Sequence, residues 1–198
     1  WHGLGLRPGA RDVWPTLADR VRTAWLTQIG AAHEQVRAAS AKGRRQMQGW
    51  VASAEEMGNF GSHFALRASV AMGGLAALEP TEAMYFVRFH DDAQEALHGQ
   101  HRYRLHIPAS DIPTDSFWSF TMYEPTADGK RFFVANPIGR YAIGNRTRSL
   151  RRNADGSLDI AVQRVAPADE ALLANWLPCP AGAFQVALRA YLPRLELR

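Results

Sequence analysis

Two strand-like segments carry most of the hydrogen-bonding chemistry in this chain. In Phe117-Trp118-Ser119-Phe120-Thr121-Met122-Tyr123, strand alternation puts Trp118, Phe120 and Met122 on one face and Ser119, Thr121 and Tyr123 on the other. Over 184–192, Phe184, Val186, Leu188, Ala190 and Leu192 share one face, while Gln185, Ala187, Arg189 and Tyr191 share the opposite one. A solvated strand face usually carries Lys and Glu. Hydroxyls, an amide and an arginine without them fit a sheltered polar surface. If both polar faces belong to one sheet, they line a groove. Arginine offers planar, bidentate recognition of anions, and tyrosine stacks on a flat ligand while donating a hydrogen bond. The expected ligand-binding residues are therefore Tyr123, Arg189 and Tyr191, with Asn136 and Arg140 of a nearby strand turn at the rim. The expected ligand is small, anionic or polyhydroxylated. The rival reading is that Arg189 and Tyr191 brace helices against the sheet.

Catalytic groups are not legible. Ser119 lies inside a strand and not on a Gly-x-Ser-x-Gly elbow. Cys179 sits between two prolines, which says nothing of thiolate activation. His90 and Asp92 share a strand face, with His98, His101 and His106 following, but His101 and His106 have opposite parity and cannot converge on a metal. No Gly-rich phosphate loop is present. No catalytic residue, cofactor or metal is assigned. The leading function is a small-molecule or glycan binding module using the polar groove. The alternatives are an enzyme of unassigned reaction in the same groove, or a structural or envelope-associated interaction protein.

The elements that position these residues fall into two parts. Over 1–80 the apolar residues recur at helical spacing. Leu17, Val21, Trp25, Ile29 and Val36 form one stripe, ending at Lys42-Gly43-Arg44-Arg45. Met47, Trp50, Val51, Ala54 and Met57 form a second, and Phe60, Phe64, Arg67, Ala71, Leu75 and Leu78 a third. Three helices are expected. Over 81–198 the period changes to two, with strands expected at 84–91, 101–107, 116–123, 131–135, 140–143, 158–165 and 184–192. Breakers such as Ala127-Asp128-Gly129, Asn136-Pro137 and Asp155-Gly156 separate them. The expected architecture is mainly β: an antiparallel jelly-roll-like β-sandwich domain preceded by a helical N-terminal segment.

Several residues read as structural. Trp118 belongs to the core face of its strand. Asp155 and Gly156 form a tight turn. Asn175 satisfies loop backbone groups while Trp176 anchors the Pro-bounded loop to the sandwich. Arg67 lies on an apolar stripe, so a buried and paired guanidinium is expected there.

Charge and composition narrow the partners. Lys and Arg number 23 against 19 Asp and Glu, and the basic residues are scattered, so nucleic-acid binding is not expected. No apolar run approaches the ~20 residues of a membrane span. The single cysteine permits no intrachain disulfide. The chain opens on Trp1 rather than Met, which is compatible with a signal peptide or anchor removed upstream.

In combination these motifs resemble the domain-of-unknown-function 1214 family. The resemblance rests on the Phe117–Tyr123 run, Asn136-Pro137 with Arg140-Tyr141 and Ile143-Gly144, and Asp155-Gly156-Ser157-Leu158. Asn175-Trp176-Leu177-Pro178 and Arg189-Ala190-Tyr191-Leu192-Pro193 complete it, with Arg67-Ala68, Tyr85, Leu97-His98-Gly99 and Tyr103 upstream. It implies a jelly-roll-like sandwich, bacterial origin in most members and no assigned reaction. Because short members are often exported or membrane-anchored, it slightly favours a periplasmic or envelope-associated location over a cytoplasmic one. Many relatives carry a domain of the unknown-function 1254 family in front, which is not recognisable in this chain. Glu95 or Ala96 stands where the family often has Gly, and Cys179 replaces a small residue.

Overall fold

The computed structural model describes residues 7–42, 45–74, 76–127 and 129–198. Trp1, Gly43, Arg44, Leu75 and Asp128 lie outside the described residues. They include parts of the break after the first helix, of the third stripe and of the 127–129 turn.

The larger of two sheets is built around its last strand in chain order. Its path runs β1 (Arg45–Met47), β2 (Trp50–Ala52), β3 (Ala83–Arg88), β10 (Gln185–Tyr191), β5 (Trp118–Pro125) and β6 (Arg131–Phe133). The short β7 (Ala142–Gly144) also pairs with β5, so β6 and β7 share one edge of that strand end to end. The smaller sheet is β4 (Tyr103–Ile107), β8 (Leu158–Gln163) and β9 (Trp176–Pro178). Pairing is antiparallel throughout, except that β9 runs parallel to β8 after a crossover through α3 (Glu170–Ala174).

The core lies between the sheets, where the expected apolar faces meet. Met84, Phe86, Trp118, Phe120, Met122 and Val186 of the large sheet face Ile107, Leu158, Ile160, Val162 and Leu177 of the small one. Full burial of each such side chain contributes roughly 1.5–3 kcal/mol. Trp118 is 1% exposed, and its indole N–H donates to Asp111 at 2.8 Å, so its one polar atom is satisfied. Trp176 is equally enclosed and donates from its indole to the Gln163 carbonyl at 2.8 Å. Asn175 accepts from the Arg151 N–H and donates to the Arg151 and Asp159 carbonyls, stitching the loop before β8 to the loop before β9. The Asp155-Gly156 turn feeds β8. Gly156 has φ +85°, and Asp155 accepts from both the N–H and the hydroxyl of Ser157.

The segment 47–57, expected as a helix, is instead largely the β1–β2 hairpin. Gln48 and Gly49 both have positive φ, 49° and 81°, which suits the two-residue turn of a tight hairpin. The spacing of Met47, Trp50 and Val51 fits either period over so short a run. The sheet decides it: Val51 pairs with Val87, and the Trp50 ring packs 5.9 Å from Phe120.

Two longer helices stand outside the sandwich. α2 (Phe64–Gly73) lies on the outer face of the large sheet, and α1 (Asp19–Lys42) packs against α2. The burial of Arg67 is corrected here. Arg67 is exposed, its side chain has no partner among the described residues, and Phe64 beside it is 72% exposed. The face of α2 that meets the sheet is Leu66, Ser69, Val70 and Gly73. The bulkier Phe64–Arg67–Ala71 stripe turns away from the sheet and is exposed.

Candidate functional site

The outer face of the large sheet is the polar face of both β5 and β10, and register makes it one surface. Across the strands the rows read Gln185, Tyr123 and Phe133; then Val51, Val87, Ala187 and Thr121; then Tyr85, Arg189 and Ser119. Between this floor and α2 lies a cleft of about 580 Å³, within the ~300–1,000 Å³ of small-molecule sites. The roof is Leu66, Ser69, Val70 and Gly73 of α2, with Ala54 and Met57 closing one side.

Arg189 is half-buried in this cleft and held by its own sheet. It donates to the Thr121 hydroxyl at 3.0 Å and to the Tyr123 hydroxyl at 2.8 Å, and its guanidinium carbon lies 5.5 Å from the Tyr123 ring centre. The small Ala187 between them leaves room for the side chain to run along the strand. Arg131 of β6 donates to the Gln185 side-chain oxygen at 2.7 Å. Gln185 and Tyr123 are direct cross-strand partners, so both guanidinium groups are tethered to one pair. Neither has a carboxylate within ion-pair distance among the described residues. Tyr191 stacks on Phe117 with ring centres 4.3 Å apart, and its hydroxyl has no partner among the described residues.

The lining contains no Asp, Glu, His, Lys or Cys among the described residues. Its hydroxyls are those of Ser53, Ser69, Tyr85, Tyr123 and Tyr191. The cleft can present fixed positive charge, phenolic donors and apolar wall.

Of the expected ligand-binding residues, the structure brings together Tyr123, Arg189 and Tyr191. Asn136 and Arg140 do not line the cleft. Asn136 closes its own turn, accepting from the Arg140 N–H and donating to the Val134 and Arg140 carbonyls. Arg140 clamps β9, donating to the Ala174 and Trp176 carbonyls and to Ser149. Burial lowers its pKa, yet a guanidinium stays charged and the three acceptors hold it. The bracing alternative fails for Arg189, whose partners are all in the sheet. Sequence reading missed Arg131, Ser53 and the α2 wall. Parity with Phe133 would have found Arg131. Ser53 was hidden by the helical reading of 47–57.

The remaining candidates lead elsewhere. Cys179 is 5% exposed, and burial pushes its thiol up to about 11, so it carries no thiolate at neutral pH. His106 pairs with Asp159 at 2.8 Å in the small sheet. Among the described residues no group of three or more His, Cys, Asp or Glu is placed to hold a metal, and no helix is long and apolar enough to cross a membrane. A second cavity of about 350 Å³ opens at the sandwich edge, where Arg88, Arg102 and Arg104 alternate with Asp91 and Asp92.

The comparisons with known proteins agree with the fold. The chain aligns with the crystal structure of the VPA0106 protein from Vibrio parahaemolyticus at 20% identity, with a TM-score of 0.64 over 99% of this chain. It spans only 46% of that protein's length. An uncharacterized protein from Burkholderia cenocepacia aligns over 96% of this chain and 41% of its own, at 12% identity and a TM-score of 0.42, too loosely to support an argument. No curated protein matches. The model of a protein family of unknown function, DUF1214, matches residues 82–195, which hold every strand except the β1–β2 hairpin. On that match, which covers more than half of its length, the chain belongs to the DUF1214 family.

Proposed function

We propose that this protein is a binding module for a small anionic molecule, held in the cleft between α2 and the large sheet. One observation carries the reading: Arg189 and Arg131 converge on the Gln185–Tyr123 pair in a cleft whose lining has no acidic residue among the described residues. Two cations without a counter-ion repel one another. An anionic ligand relieves that repulsion, and two forked donors fit a carboxylate or phosphate. Arg189 is pre-set by its bonds to Thr121 and Tyr123, so little side-chain entropy is lost on binding.

Titration calorimetry with a panel of organic carboxylates and phosphates tests it. The expected result is saturable binding to the 198-residue protein that weakens at least tenfold in Arg189→Met. Equal binding by the variant would remove the reading.

A glycan is the second reading, and a separate observation favours it. Tyr123, Phe133 and Tyr141 form a row of rings, each centre 5.4 Å from the next, and Phe133 and Tyr141 are exposed. Such a row suits the apolar face of a sugar. It lies on the β6–β7 side of the arginines. A glycan bound there would survive Arg189→Met and be lost in Phe133→Ala.

A further inference from the structure

The cleft is not polar throughout, and its two sides differ in a way that restricts the ligand further. On the β5–β10 side stand the two guanidinium groups, the Tyr123 and Tyr191 hydroxyls and Gln185. On the β2–β3 side the floor is Val51, Val87 and Phe89, and the wall is Met57, Leu66 and Val70. That side does contain three hydroxyls, but Ser53 and Ser69 donate within the protein, and only the Tyr85 O–H is left to donate to a ligand. Ser53 donates to the Tyr85 carbonyl and accepts from the Tyr85 N–H. Ser69 donates to the Leu66 carbonyl at 2.7 Å. The Tyr85 hydroxyl accepts from the Leu78 N–H at 3.2 Å. A ligand body lying on this side would meet one open donor, the Tyr85 hydroxyl, amid apolar wall. A sugar acid or a tricarboxylate placed there would leave its own polar groups unpaired, at about 1–3 kcal/mol for each one buried. A hydrocarbon body would lose nothing and would remove apolar wall from water.

Resting on the anion-binding reading above, we propose that the ligand is an amphiphilic carboxylate. Its carboxylate lies between Arg189 and Arg131, and its aliphatic or aryl body lies under α2, against Val51, Val87, Leu66 and Val70. The recognition is bipolar: charge fixes the head, and α2 with the β2–β3 floor selects the tail.

Calorimetry on the 198-residue protein with acetate, butyrate, hexanoate, octanoate, citrate and octyl glucoside tests this. The association constant is expected to rise about threefold to fourfold per methylene along the series, as burial of each CH₂ dictates. Heat capacity should become more negative with each step. Octyl glucoside, with the tail but no charge, should bind at least tenfold more weakly than octanoate. Two substitutions of nearly unchanged volume, Val70→Thr and Val87→Thr, should flatten the chain-length dependence, with thermal unfolding confirming that both variants fold. Citrate binding as tightly as octanoate, with loss in Arg189→Met, would overturn the amphiphile and leave the anion site standing. Octanoate and octyl glucoside binding alike, and alike in Arg189→Met, would overturn both. So would the failure of all six probes to bind.

Discussion

Arg189 and Tyr123 are joined across two strands: the guanidinium donates to the phenol at 2.8 Å, although the backbone partner of Arg189 is Ser119 and that of Tyr123 is Gln185. The side chain runs diagonally along the floor of the cleft, over two rungs of the ladder. Its partners are neutral, so its charge is left for something else. The two residues lie 66 positions apart in the chain, and only the β5–β10 register brings them together.

Arg189→Met is therefore expected to change unfolding free energy in the absence of ligand by no more than about 1 kcal/mol. Loss of two hydrogen bonds is offset by removal of a partly buried, unneutralised charge. In the same variant, anions that raise the wild-type melting temperature should no longer do so. For the wild type, the anion-induced rise should shrink as sodium chloride screens the cleft. Differential scanning calorimetry with and without ligand measures all three. A large destabilisation of the unliganded variant would show that Arg189 is a structural residue.

Trp176→Ala should cost about 3–5 kcal/mol, since it empties a large core site. Asn175→Ala should cost about 2–4 kcal/mol, because the Arg151 N–H and the Arg151 and Asp159 carbonyls lose a buried partner together. Urea unfolding followed by tryptophan fluorescence gives both values. A change under about 1 kcal/mol in either variant contradicts the packing described for β9.

Arg67→Ala should be neutral within about 0.5 kcal/mol, because the guanidinium is exposed and unpartnered among the described residues. The same urea titration checks it, and a loss near 3 kcal/mol would restore a buried pairing.

Cys179 should react with a thiol reagent only as fast as the protein opens. The folded thiol is shielded, and its pKa is pushed up to about 11 by burial. Labelling at pH 8 should be slow in buffer and complete within the mixing time in denaturant. Fast labelling of the folded protein would contradict the packing of that loop.

Acid should weaken the small sheet through Asp159. Burial pushes this carboxyl up, but hydrogen bonds from His106 and Asn153 and the charge of Arg104 outweigh it, leaving the folded pKa below the ordinary value. A depressed carboxyl stabilises the fold fully above its unfolded value, about 3.9, and that stabilisation is lost as pH falls through the folded value. Asp159→Asn should thus be less stable than wild type at pH 6, and the gap should close as pH is lowered below about 4. Urea midpoints at several pH values provide the test, and a gap that stays constant refutes it.

Strand parity was enough to find Arg189, Tyr123 and Tyr191, because a period of two leaves no choice of face once the apolar residues are assigned. It gave no help with Asn136 and Arg140. A turn's sequence says where the chain reverses, but not which carbonyls a long arginine will reach, and those belong to the end of α3 and the start of β9, about 35 residues further on. The hairpin at 45–52 was misread because three-residue strands are too short to show a period. Its Gln48-Gly49 turn was the overlooked signal. For α2 the helix was legible but its rotation was not. The stripe of Phe64, Arg67 and Ala71 faces away from the sheet, and Leu66, Ser69 and Val70 face it across the cleft.

The position of β10 has a consequence for how the molecule is made. It is the last strand in the chain, yet it sits between β3 and β5, in the middle of the large sheet. A nascent chain leaving the ribosome has β3 and β5 in hand long before the strand that must join them. Until residue 191 emerges, the two stand apart with unpaired edges facing each other. Such gaps invite strands from other chains, and closing them late, over about a hundred residues of sequence, is slow. The cleft cannot form before β10 joins, because Gln185, Arg189 and Tyr191 arrive with that strand. A chain that stops short of β10 would lack both the centre of its sheet and the three residues that strand contributes to the cleft floor.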